Sequence, residues 1–234
     1  MPSLTRQDDV FILDLGDDEN RFNPGWVAAV NALLDEVQEE VRAGAKPALL
    51  TTAQGKIWSN GLDLEWLAGN LKDANAFLAE VHELFARVLT LGVPTVAALQ
   101  GHTFAAGAML ALAYDQRVMR ADRGFFCLPE VDINIPFSPG MTALVMARLP
   151  IAAAHEAMTT GRRYGGTDAL AAGIVHAAVS EEQVLPHALA LAAGMAGKDA
   201  ATLAAIKQRM YAGAVAALRD TEANSVSLPG QAAG

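Results

Sequence analysis

Residues 94–112 read Pro94-Thr95-Val96-Ala97-Ala98-Leu99-Gln100-Gly101-His102-Thr103-Phe104-Ala105-Ala106-Gly107-Ala108-Met109-Leu110-Ala111-Leu112. An arm from Tyr114 to Arg123 follows, and then Phe125-Phe126-Cys127-Leu128-Pro129-Glu130. The apolar run Pro94–Leu99 reads as a strand entering a turn of very small residues, with a helix of small apolar residues starting near Ala106. The first N–H groups of a helix have no partner inside it, and the dipole there favours negative charge. Side chains as small as Ala105, Ala106 and Gly107 allow a ligand to approach that backbone closely. A second, shorter strand then delivers the carboxylate of Glu130 behind a proline. A helix start that attracts anions, combined with one carboxylate, suits removal of a proton next to a carbonyl.

Upstream, Val10–Leu15 reads as a strand closed by Gly16-Asp17-Asp18. Asn23-Pro24 opens a helix whose apolar residues, from Trp26 to Val41, recur at helical spacing until Gly44. The continuous hydrophobes Ala48-Leu49-Leu50 make residues 47–52 a buried strand, so the intervening helix is a crossover. Ser59, Asn60 and Gly61 are turn formers, and Asp63 is placed to cap a helix through Trp66 and Leu67. A second long amphipathic helix runs through Phe77, Leu78, Val81, Leu84, Phe85, Val88 and Leu89.

Downstream, Pro136, Pro139 and Gly140 form a loop before helices over about 141–148 and 151–160. Thr167-Asp168 caps a short helix, residues 174–179 form a last strand, and Ser180 with Gln183 has capping-box spacing. Two alanine-rich helices follow, over about 181–196 and 200–218, with Asp199 capping the second. These features divide the chain into a core at 1–180, a helical region at 181–220 and a small, polar, mobile tail at 221–234.

The chain has 234 residues, 52% of them hydrophobic, enough for one large domain with a sizeable core. Its net charge of −9 contains no basic run, so non-specific nucleic-acid binding is not expected. The single Cys127 fits a reducing compartment, and no apolar run reaches the roughly 18–20 residues of a membrane span. The N-terminus lacks a signal-peptide pattern, and the C-terminal Gln-Ala-Ala-Gly is not a peroxisomal address. A cytoplasmic protein without membrane association is expected. The scattered His and Cys residues show no metal spacing. Gly-x-Gly-x-x-Gly, Walker and Gly-x-Ser-x-Gly patterns are absent.

Four blocks together resemble the crotonase (enoyl-CoA hydratase/isomerase) superfamily. They are Trp58-Ser59-Asn60-Gly61-Leu62-Asp63-Leu64, Pro94 to His102, the Ala105-Ala106-Gly107 turn, and Pro129-Glu130-Val131-Asp132-Ile133. The Asn-Gly-Leu-Asp-Leu and Glu-Val-Asp-Ile blocks are most similar to the plant-type Δ3,Δ2-enoyl-CoA isomerases. The resemblance implies an α/β, crotonase/ClpP-like fold, a spiral of ββα units with two roughly perpendicular sheets and C-terminal helices that mediate trimerisation. It implies an acyl-CoA thioester as substrate, with coenzyme A part of that substrate and no separate cofactor or metal. It also implies a homotrimer or hexamer and a place in fatty-acid β-oxidation.

By motif position, the resemblance makes Glu130 the catalytic acid/base and the backbone N–H groups of Leu62 and Ala106 an oxyanion hole. Hydratases of the superfamily carry a further glutamate where this chain has Met109, and a thioether neither takes nor gives a proton. Isomerisation by one glutamate is therefore expected, with hydratase, other lyase or thioesterase activity and a non-catalytic acyl-CoA-binding oligomer as alternatives. Met109, Phe126, Phe137 and Met141 are candidates for an apolar acyl pocket. Asn60, Asp63 and Lys207 are candidates for coenzyme A contacts, although the first two equally suit a turn and a cap, and Lys207 a solvated helix face. Asp132, two residues beyond Glu130, would share its face on a strand. His102 suits a loop-fixing hydrogen bond.

Overall fold

The computed structural model describes residues 1–225. The chain opens with two antiparallel strands, β1 (Ser3–Gln7) and β2 (Val10–Asp14), followed by helix α1 (Pro24–Arg42). Asn23 caps α1 by accepting the Trp26 N–H at 2.9 Å, and Pro24 occupies a first-turn position where its missing N–H costs nothing. Next come β3 (Ala48–Thr52), β4 (Ile57–Ser59), α2 (Leu64–Gly69) and α3 (Ala74–Leu89). The central units are β5 (Thr95–Leu99), β6 (His102–Phe104) and α4 (Ala106–Ala113), then β7 (Gln116–Arg120), β8 (Phe126–Cys127) and α5 (Pro139–Arg148). The chain continues through α6 (Ile151–Thr160), α7 (Gly166–Ala171), β9 (Ala177–Val179), α8 (Glu181–Met195), α9 (Ala200–Met210) and α10 (Ala212–Arg219).

A six-stranded sheet has the order β1-β2-β3-β5-β7-β9, and a three-stranded sheet has the order β4-β6-β8. Apart from β1 with β2, all strand pairs are parallel. Three successive units, beginning at β3, β5 and β7, each place one strand in the large sheet and one in the small sheet before turning into helix. This is the expected ββα spiral. The repeat lies in geometry, and no residue-level repeat accompanies it.

Alternation along the large sheet explains its continuous hydrophobes. Ala48, Leu50, Val96, Ala98 and Val118 face α8, where Val184, Ala188 and Ala192 cover them. Leu49, Ala97, Leu99 and Met119 face the opposite way, into the main core with α1, α3 and α4. A parallel sheet covered on both faces needs apolar side chains in both directions.

Several expectations change. Strands β1, β4, β6 and β7 carry no strand signal of their own, the last strand shortens to Ala177–Val179, and the helix expected over 200–218 bends at Tyr211 into α9 and α10. Residue 180 is no packing boundary, because α8 covers the large sheet and α10 packs on α5 and α3. Ser180 and Gln183 do not close a capping box; the Ser180 hydroxyl donates to Glu182 instead. The start of the expected tail is anchored, since Asn224 Oδ1 accepts the Gly140 N–H at 2.8 Å and its amide donates to Ala217 O at 2.7 Å. The rest of that tail, 226–234, lies outside the described residues.

Candidate active site

Two turns of the spiral meet where β4 and β6 end. The Ser59 hydroxyl donates to Asn20 O at 2.8 Å and accepts the Gly61 N–H at 3.1 Å, while the Asn20 amide donates to Trp58 O at 3.1 Å. This buried network fixes the 59–61 turn. Gly61 has φ +79°, and a β-carbon there would stand 2.8 Å from Ala106 N, so glycine alone lets the turn touch the head of α4. Phe22 N donates to Gly61 O at 2.7 Å and Asp63 N to Phe22 O at 2.9 Å, which clamps Leu62 from its other side.

Ala105 sits before α4 with φ 51° and ψ −127°, a conformation that costs a residue with a β-carbon on the order of 1–3 kcal/mol. Its N–H donates to Cys127 O at 3.0 Å and its carbonyl accepts Met109 N at 3.0 Å. The strained residue thus turns the chain directly from β6 into α4 and leaves the Ala106 N–H at the helix head. Among the described residues, neither the Leu62 nor the Ala106 N–H has a protein acceptor.

Both residues line a mainly apolar cleft of about 300 Å³, together with Met109, Glu130 and Met141. Glu130 is the single carboxylate among the described residues lining it. The residue is only 6% exposed, and its Oε2 has no hydrogen-bond partner. Burial without a compensating charge raises the Glu130 carboxyl to about 7. A buried carboxyl poised near neutrality is suited to both accepting and returning a proton.

The other anticipated positions divide. Strand β8 ends at Cys127, so Glu130 heads a turn in which Ile135 N donates to Glu130 O at 3.0 Å. The face-sharing argument for Asp132 therefore fails; that residue is exposed and lies against Gly161, outside the cleft. Phe126 is fully buried on β8, paired with Tyr164, and Phe137 packs on the core beside the cleft-lining Pro136; neither lines the cleft. Asn60 does line it, with its amide 3.3 Å from Glu19 Oε1. Asp63 caps α2, accepting the Trp66 N–H at 3.0 Å.

Lys207 is displaced most from expectation. It is neither a solvated face residue nor near this cleft: it is buried, and its ammonium donates to Asp115 Oδ2 at 2.6 Å and Val93 O at 3.0 Å. His102 also lies away from the cleft, with its ring between Phe104 and Phe125.

Sequence reading missed Arg21, Leu64, Phe104, Pro129, Ile133, Ile135 and Pro136 as lining residues. Arg21 reaches the cleft through the bridge between Phe22 and Leu62, a long-range pairing without local signal. Ile133 and Ile135 did carry one: bulky apolar residues set among Asp132, Asn134 and Pro136, and the structure leaves both more than 40% exposed.

The enoyl-CoA hydratase/isomerase family model matches residues 7–228. Two Arabidopsis thaliana proteins named enoyl-CoA delta isomerase are similar: isomerase 2, peroxisomal, at 38% identity, and isomerase 3 at 36% identity. Each match covers 90% of this chain and 92% of the relative. The solved apo structure of a Mycobacterium tuberculosis enoyl-CoA isomerase superposes with a TM-score of 0.86 at 29% identity, covering 94% of this chain and 95% of that one. With the spiral fold and the cleft already in view, these matches make the chain a member of the enoyl-CoA hydratase/isomerase family.

Proposed function

We propose that the protein converts 3-enoyl-CoA into trans-2-enoyl-CoA, with Glu130 as sole acid/base. The observation that carries this reading is the isolation of the Glu130 carboxyl: buried, unpartnered at Oε2 and the one carboxylate lining the cleft among the described residues. The carboxylate takes a proton from C2 of the substrate. The C–H electron pair becomes the C1=C2 bond and the carbonyl π pair moves onto the thioester oxygen, leaving a dienolate in which C3=C4 is still in place. The same carboxyl then returns the proton at C4, so no net proton is gained or lost.

The Leu62 and Ala106 N–H groups oppose the oxyanion charge; loss of one such donor typically costs about 3 kcal/mol in a barrier. Their chemistry is main-chain, so leucine and alanine serve at those positions. Met109, Met141, Ile133 and Ile135 give the cleft its apolar lining and limit competing attack by water. Coenzyme A belongs to the substrate in this reading, and the residues present require no separate cofactor. Assembly as a trimer or hexamer in a cytoplasmic setting is part of the proposal, supported by the exposed Ile206 and Met210 on α9 and by the buried, unpaired Cys127.

Hydration needs a second acid/base group, and Met109 and the outlying Asp132 argue against one. Incubation with a 3-enoyl-CoA tests the reading: growth of the conjugated enoyl-thioester absorbance is expected. Loss of that absorbance from crotonyl-CoA would instead favour a hydratase, and release of free coenzyme A a thioesterase. Tight acyl-CoA binding with no turnover would mark a non-catalytic binder.

A further inference from the structure

We propose that Arg148 is a positioning residue for the Ala106 amide, acting through α4 from its far end. The inference rests on the reading of that amide as an oxyanion donor. All eight residues of α4 are buried, so the carbonyls at its C-terminal end have little water to bond. Arg148 meets them from α5: Nε donates to Leu112 O at 2.7 Å, and Nη2 donates to Tyr114 O at 2.7 Å and Asp115 O at 3.2 Å. Arg117 adds a second guanidinium, with Nη1 2.8 Å from Tyr114 O and Nε 2.7 Å from Ile174 O.

Neither guanidinium forms a carboxylate ion pair among the described residues. The nearby Asp115 carboxylate is engaged by Lys207 at 2.6 Å and by Thr95 N at 2.9 Å. Two cations therefore face the negative end of a helix whose positive end meets the cleft. An eight-residue helix is only about 12 Å long. A unit charge at that range, with an effective dielectric near 20, alters a rate at the other end by roughly tenfold.

Geometry adds to the charge effect. Arg148 belongs to α5, which also delivers Met141 to the cleft, and its fork fixes α5 against α4. Its Nη1 donates to the Tyr211 hydroxyl, and the guanidinium carbon lies 5.2 Å from that ring. The arginine is thereby held from outside as well as inside. A merely structural cap would change stability, whereas the positioning role changes how strongly the bound thioester carbonyl is polarised.

The test uses the full chain with a chromophoric cinnamoyl-CoA thioester, whose absorbance shifts to the red when its carbonyl is polarised. The shift is expected in the wild type, halved or less in Arg148→Met and intermediate in Arg148→Lys. With 3-enoyl-CoA, kcat is expected to follow the same order, falling about tenfold in the methionine variant with KM within threefold. Tyr211→Phe removes only the outer anchor and supplies a second reading should the methionine variant prove too unstable; its expected shift lies below wild type. A wild-type shift in every folded variant overturns the inference. No shift in the wild type overturns the oxyanion reading itself, and the inference with it.

Discussion

Gly107 packs so closely on Ser59 that a β-carbon on the glycine would stand 2.6 Å from Ser59 Oγ and 2.7 Å from Ser59 O. The contact presses the first turn of α4 against the end of β4 and brings the Leu62 and Ala106 amides to one cleft. Gly107→Ala has no flexible neighbour to displace, since backbone stands in the way. Loss of about 2 kcal/mol of stability is expected, or roughly 4–8 °C in Tm. A fall in kcat well beyond what that destabilisation explains should accompany it. Thermal melts and steady-state kinetics on the same preparation check both.

The acidity of Glu130 sets the pH dependence. The carboxyl, raised to about 7 by burial, must be ionised to take the C2 proton. Thus kcat/KM is expected to fall about tenfold per pH unit below 7 and to level off above it. A rate independent of pH between 5 and 8 would count against this base.

The same burial makes Glu130 a stability cost at alkaline pH. Its carboxyl lies above the ordinary value of 4.5 in the folded chain, so the favourable contribution is complete below about 4.5 and lost as pH rises through about 7. Relative to wild type, Glu130→Gln should therefore gain stability from pH 5 to pH 8, by on the order of 2–3 kcal/mol. Denaturant unfolding at the two pH values measures the difference; equal gaps would contradict the assigned burial cost.

Lys207→Met separates a structural ion pair from a coenzyme A contact. Removing the ammonium leaves the Asp115 carboxylate without its cation, at an expected cost of about 3 kcal/mol. KM for an acyl-CoA substrate should stay within twofold of wild type. A tenfold rise in KM without loss of stability would restore the coenzyme A role.

Much of this organisation was legible because its signals are local. The helices α1 and α3 announce themselves by apolar spacing, and β3 and β5 by unbroken hydrophobes. The blocks around Asn60, Ala106 and Glu130 carry the family resemblance. Helix α4 has no amphipathic face, being buried on all sides, so its small residues marked its start while its packing stayed hidden. Strand β6, three residues long, is defined by pairing across the chain, which no local period encodes; β8 matches the short strand expected before Glu130, but it ends at Cys127 and does not run on to the carboxylate. Lys207 misled for a related reason: a lysine on an alanine-rich helix reads as solvated until Asp115, 92 positions away, is seen beneath it. Phe126 and Phe137 have the apolar character of pocket residues, but the direction each faces depends on β8 and on the loop before α5.

The most direct measurement is turnover of a 3-enoyl-CoA by Glu130→Gln, made alongside acyl-CoA binding and a thermal melt. With fold and binding retained, kcat is expected to drop by roughly a thousandfold. Turnover within tenfold of wild type would contradict Glu130 as the group that moves the proton.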